Sequence, residues 1–124
     1  MTKARRLTAL RVAFWAGAAF ALIMALLPHP PQLPGEPSDK LQHIAAFLTL
    51  GALGSLAYPR ANPLHLGASL SLFGAIIEIL QLIPALHRDG DPLDWAADTA
   101  AVALIIVLLR RLIRGPSDPA PEER

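Results

Sequence analysis

Glu78 and Gln81 stand one helical turn apart in Leu64–Leu86, LHLGASLSLFGAIIEILQLIPAL, a run that is otherwise largely apolar. Two further apolar runs carry ionisable residues at what should be the same depth. Asp39, Lys40 and His43 open one, and Arg88, Asp94 and Asp98 surround the start of the other. Carboxylate, imidazole, ammonium and guanidinium groups move protons, grip phosphate or carboxylate, and ligate cations. Taking an ionised carboxylate into hydrocarbon costs at least about 2.5–3.5 kcal/mol. Glu78 must therefore be paired, protonated or directed into a wet pocket. It reads as an acid–base or ligand-binding carboxylate, and the plainer alternative is an interhelical latch hydrogen-bonded to His43 or Arg88.

The neighbouring residues divide by how well local structure explains them. His43 follows Asp39 by four residues and Lys40 by three, so all three share one helix face. Gln81 is placed to orient Glu78. Asp94 follows Asp91-Pro92 closely enough for helix capping alone to explain it, whereas Asp98, one turn deeper, has no capping role. Arg88 can hold a carboxylate or phosphate with two parallel bonds. His87, Asp89 and Asp91 read as solvated loop residues. Asp39, His43, Glu78, Asp94 and Asp98 are permissible donors for a hard or borderline cation, but their spacing is not diagnostic. Neither a metal nor another cofactor is assigned on this ground. A serine hydrolase is weaker still, because Ser38 serves as a helix cap and Ser69 and Ser71 lie too near the cytoplasmic end of the third segment to meet His43.

The elements that must position these groups follow from composition. The chain has 124 residues, of which 53% are hydrophobic and 17% charged, with mean hydropathy +0.42 and no cysteine. The apolar residues fall into four blocks, about 7–27, 41–58, 64–86 and 93–109. Each is close to the ~20 residues that carry a helix across ~30 Å of hydrocarbon. The blocks lack the in–out alternation of a barrel strand. The expected fold is an all-α membrane protein, a compact bundle of four transmembrane helices over residues 1–114, with 115–124 a short, disordered, proline-rich cytoplasmic tail. Lys3, Arg5, Arg6, Arg11, Arg60, Arg110, Arg111, Arg114 and Arg124 lie on one side of this arrangement, leaving Lys40 and Arg88 on the other. The positive-inside bias then puts both termini in the cytoplasm, as four spans require. It accounts for the basic ends without nucleic acid. The first block ends in Pro28-His29-Pro30-Pro31 with no small-x-small cleavage site, so it reads as a retained helix.

Four-residue steps show which faces meet. Gly67, Ser71, Gly74, Glu78 and Gln81 form one stripe, with His43, Phe47, Gly51 and Ser55 a second and Asp94, Ala97, Asp98 and Ala101 a third. Small residues let helices approach closely in lipid. The bundle is expected to be closed at the cytoplasmic end and to open outward into a polar pocket. Ala13, Gly17, Ala21 and Ala25 would make the first helix a packing wall.

The succession Asp39-Lys40-x-x-His43, then Glu78-x-x-Gln81, then Arg88 and Asp94 resembles the VanZ-like membrane proteins, over about Asp39 to Ala101. The resemblance implies a small bacterial multi-pass protein, whose namesake is associated with resistance to the glycopeptide teicoplanin. Asp98 stands where asparagine is expected, Ala101 where glycine is expected, and Phe47 where tyrosine is common. The extra charge at Asp98 would alter ligand preference.

The expected function is a non-enzymatic one in the cell envelope. Asp39, Lys40, His43, Glu78, Gln81, Arg88, Asp94 and Asp98 would bind an envelope lipid or a peptidoglycan-related group, or a lipophilic antibiotic. The alternative is a membrane-embedded hydrolase or transferase with Glu78 and His43 as its acid–base pair. The topology generates a direct prediction. Single cysteines introduced at Glu36 and Gly115 should differ in reaction with an impermeant thiol reagent applied outside the cell, 36 labelling and 115 not. Labelling at 115 from outside would reverse the assignment.

Overall fold

The computed structural model describes residues 1–27, 39–86 and 92–114, with the side chains of 39, 40, 86 and 114 excepted. Within these residues the protein is all-helical: α1 Lys3–Leu26, α2 Asp39–Ala57, α3 Pro63–Gln81 and α4 Pro92–Arg114, with a single 3₁₀ turn at Pro84–Leu86. The starts follow local chemistry. Thr2 Oγ1 accepts from the Arg5 N–H at 3.2 Å, and Asn62 Oδ1 accepts from the Leu64 N–H at 2.9 Å, with Pro63 in the first helical position. Each cap satisfies a donor that has no partner within its helix. The caps expected at Ser38 and Asp91 lie outside the described residues, as do the tail and Arg88.

Two boundaries differ from the sequence reading. The third apolar block runs to Leu86, but α3 stops at Gln81. The Leu82 N–H donates to Ile79 O and the Ile83 N–H to Leu80 O, both at 3.1 Å, so the helix tightens into i→i−3 bonds before Pro84. The Leu80 carbonyl, which Pro84 has no N–H to bond, is thus taken by Ile83. Proline lacks an N–H and disfavours helical geometry at the residue before it, so it ends this helix instead of kinking it. Glu78 consequently lies in the last turn of α3. At the other boundary, α4 carries Arg110, Arg111 and Arg114 within the helix, where the sequence block closed at 109.

Cross-helix contacts fix alternating directions. Early in α1, Arg11 meets Ala57 at the end of α2, and Arg110, late in α4, meets Tyr58 and Pro59 just beyond α2. At the opposite end Gln81 reaches Ala25 and His43 meets Asp98. The helices therefore run up, down, up and down. Helix α2 lies against the other three, most extensively against α4 and α1, while α3 packs on α4. The core joins Phe14 and Ala25 of α1, Phe47 and Leu50 of α2, Leu66, Leu70 and Ile77 of α3, and Val102 and Ile106 of α4.

The stripes expected on α2, α3 and α4 are the inward faces: Phe47, Gly51 and Ser55 are buried, as are Gly74, Glu78 and Gln81, and Asp98 and Ala101. On α1 the expected stripe is corrected. Ala13 is exposed, and Phe14 takes its place in the core beside Ala18 and Ala25. Four-residue steps advance 400° on a 3.6-residue helix, so a stripe of pure fours drifts ~40° per step off the contact face.

The outer surface is apolar. Val12, Trp15, Phe20 and Ile23 of α1, Leu72, Ile76 and Ile79 of α3, and Leu104, Val107 and Leu108 of α4 are all exposed, while Glu78, Gln81 and Asp98 are buried. This inverts the usual distribution in a water-soluble domain. Two helices, Lys3–Leu26 and Pro63–Gln81, are long and apolar enough to cross a membrane, and Leu41–Ala57 is a shorter apolar helix.

Gly51 sets the separation of α2 and α4. A Cβ there would overlap Ile105 Cγ2, with the Val102 carbonyl oxygen at 3.7 Å and its Cα at 3.8 Å behind it. A Cβ on Gly67 would meet Ile106 Cδ1 at an ordinary 3.8 Å. Gly51→Ala should therefore lower stability by about 1–3 kcal/mol through overpacking. Gly67→Ala should be neutral, or stabilising by up to ~1 kcal/mol through helix propensity. Thermal unfolding of both variants in detergent compares them. Equal melting temperatures would be incompatible with this close α2–α4 approach.

Candidate functional site

Three helices each deliver one ionisable side chain to the end of the bundle away from Arg11 and Arg110. Helix α2 presents His43 one turn before Phe47, α3 presents Glu78 in its last turn, and α4 presents Asp98 in its second. Small residues make the convergence possible. At Gly74, one turn below Glu78, the Phe47 ring lies 3.3 Å from where a Cβ would stand and Trp95 Cδ1 lies 3.6 Å from it. Phe47 and Ile77 are each 2% exposed and form an apolar floor towards the bundle centre.

The cluster is tight. His43 Nδ1 lies 3.4 Å from Asp98 Oδ2. One donor atom from each of His43, Glu78 and Asp98 lies within 4.8 Å of the other two. The side chain of Asp98 is 2% exposed and that of His43 12%, and Glu78 is also buried. The second oxygen of Asp98, Oδ1, is buried with no hydrogen-bond partner among the described residues. Asp94, one turn before Asp98 and half-buried, adds its charge to the field around His43. A buried set of two carboxylates and one imidazole can share protons, bind a cationic group or ligate a cation.

Of the residues expected to converge, His43, Glu78 and Asp98 do so, and Asp94 lies within their electrostatic reach. Gln81, expected beside Glu78, is buried, and its Nε2 donates to the Ala25 carbonyl of α1 at 3.0 Å. That carbonyl is in the last turn of α1, where oxygens lack helical partners. Helix α1 therefore supplies a polar tie at the level of the cluster as well as a packing wall. Asp39 and Lys40 form the first two residues of α2, and their side chains, like the whole of Arg88, fall outside the described residues.

Sequence reasoning gives no role to Trp95 or Thr99. Ser71 Oγ and Thr99 Oγ1 are 2.9 Å apart, and Trp95 Nε1 donates to the Ser71 carbonyl at 3.0 Å. These bonds join α3 to α4 one layer below the acidic cluster. The only available signal was the i, i+4 spacing of Trp95 and Thr99, each one residue after an aspartate. The basic end likewise carries more than a topological charge. Arg11 Nε donates to Ala57 O at 3.1 Å and its guanidinium lies 4.8 Å from the Tyr58 ring centroid. Arg110 donates to the Pro59 and Tyr58 carbonyls, and Trp15 Nε1 donates to Tyr58 Oη at 2.9 Å. Two arginines from flanking helices thus cap the carboxyl end of α2, where cations are favoured.

Compared with models of known families, with curated proteins and with solved structures, the chain matches none.

The proximity of His43 and Asp98 makes their substitutions non-additive. Removing one member of a buried polar pair strands the other, whereas removing both does not. The double variant His43→Leu/Asp98→Leu should be less destabilised than the sum of the two single variants by at least about 1 kcal/mol. Chemical denaturation of the four proteins in one detergent measures this coupling. Strict additivity would mean that the two side chains do not meet.

Proposed function

We propose that the chain is a four-span membrane protein of the VanZ-like kind in a bacterial plasma membrane, with both termini cytoplasmic. Its polar cluster binds the headgroup of an envelope lipid or of a lipid-linked peptidoglycan precursor, without converting it. One observation carries this reading. Ionisable side chains from three helices are buried together at one end of a bundle whose exterior is apolar. A chain gains nothing in stability from such groups over well-packed hydrophobic ones, so their retention points to a ligand.

Length supports four spans. Helices α2 and α4 have 19 and 23 residues, which at 1.5 Å per residue extend roughly 28 and 34 Å, near the thickness of the hydrocarbon core. The ends also segregate by charge. Lys3, Arg5, Arg6, Arg11, Arg60, Arg110, Arg111 and Arg114 share one end, and His43, Glu78 and Asp98 lie toward the other, which supports a cytoplasmic basic face and an outward-facing cluster. The VanZ-like reading rests on Asp39, Lys40, His43, Glu78, Gln81, Arg88 and Asp94 at their spacing, and the meeting of His43 with Glu78 is consistent with it. Tolerance of a glycopeptide antibiotic would follow if the bound group were part of that antibiotic's target, or if the antibiotic itself were held.

A second reading draws on the His43–Asp98 contact. An imidazole oriented by a buried carboxylate is a general base, which suits a membrane hydrolase or transferase with Glu78 as the acid. Mass spectrometry of lipids that co-purify with the protein separates the two. Binding predicts one retained, chemically unaltered lipid class, depleted at least several-fold in Glu78→Gln. Conversion of that lipid over time, lost in Glu78→Gln and His43→Gln, would establish the enzyme instead. Lipid composition no different from the bulk membrane would overturn both.

A further inference from the structure

We propose that His43, Glu78 and Asp98 form a binding site for a divalent transition-metal ion of the zinc class. The donor set is one imidazole nitrogen and two carboxylate oxygens, delivered by three helices, with every pair of donor atoms within 4.8 Å. In a tetrahedral shell with bonds of ~2.0–2.1 Å, neighbouring donors stand roughly 3.3 Å apart. His43 Nδ1 and Asp98 Oδ2, at 3.4 Å, already have that separation. Glu78 has one methylene more than Asp98, so rotation about its side-chain bonds would close the remaining gap.

Asp98 makes a second, independent case. Its Oδ1 is an acceptor on a side chain 2% exposed, with no hydrogen-bond partner among the described residues, and it belongs to the carboxylate whose other oxygen already faces His43. The imidazole decides the class of ion. Calcium and magnesium favour shells of six or more oxygens, whereas zinc and its first-row neighbours accept mixed nitrogen and oxygen donors. Three protein ligands leave a coordination position open. If the cluster binds an envelope headgroup, as proposed above, that position would take a phosphate or carboxylate oxygen from it.

The test uses the full chain, free of any affinity tag, purified in detergent and stripped with a chelator. Zinc and cobalt(II) are then added without any lipid-linked ligand. The expected result is one ion bound per chain by elemental analysis after desalting, a rise of several degrees in melting temperature, and visible cobalt absorption of the intensity given by four- or five-coordinate shells. Glu78→Gln and Asp98→Asn, both near-isosteric, should each weaken binding at least tenfold. Ser71→Ala, one layer below, should leave it unchanged. Circular dichroism of the metal-free variants confirms that each is folded, and the wild-type stoichiometry decides the question even if one variant is not. A ratio near zero in the wild type would overturn the site. So would an undiminished ratio in both carboxylate variants, since binding would then lie at His29, His65 or His87. Metal binding with no retained lipid refutes the headgroup reading alone, and a retained lipid with no metal refutes the metal site alone.

Discussion

Two carboxylates and an imidazole buried within one small bundle must answer one another, and this requirement organises the rest of the molecule. Each of these groups would be costly to bury singly. Because His43, Glu78 and Asp98 come from α2, α3 and α4, those three helices have to approach closely at one end. The approach is made possible lower down. Gly51 leaves room for the Ile105 side chain of α4, and Gly74 admits the edge of the Phe47 ring. The small-residue layer thus supports the close approach that the polar layer needs.

The two ends of the bundle solve the same problem with opposite charges. At the basic end, Arg11 and Arg110 bring donors to the carbonyls that α2 leaves open at its carboxyl terminus, with Tyr58 also held by Trp15. Guanidinium forks meet neutral backbone acceptors there, and Arg110 Nε is left buried without a hydrogen-bond partner among the described residues. At the opposite end His43, Glu78 and Asp98 are buried together, Asp94 adds to the negative field around His43, and Asp98 Oδ1 has no hydrogen-bond partner among the described residues.

Between these ends the helices are joined by bonds of ordinary strength in unusual places. Gln81 ties α3 to α1 through a terminal carbonyl, and Ser71, Thr99 and Trp95 tie α3 to α4. In an apolar surrounding each such bond is worth about 0.6 kcal/mol and at most a little under 2. They therefore set register more than stability. Register is what the cluster requires, since one turn of slip along α4 would carry Asp98 some 5 Å from His43.

Much of this was legible in the amino-acid order alone. The helical character, the inward faces of α2, α3 and α4, the Asn62-Pro63 start and the set containing His43, Glu78 and Asp98 follow from periodicity and from the cost of charge among apolar residues, both of which are local properties. Pro84 also announced an interruption, although ending α3 at Gln81 required the competition between the proline and the last helical bonds to be resolved. The tertiary structure alone decided the partners. Gln81 donates to Ala25 of α1, Phe14 replaces Ala13 on the face of α1, and Arg11 and Arg110 find the end of α2. A sequence specifies which groups need a partner, because that need belongs to the group and its immediate neighbours. Which partner answers depends on helix rotation, drift and termination summed over the whole bundle, and those are fixed only when the backbones meet.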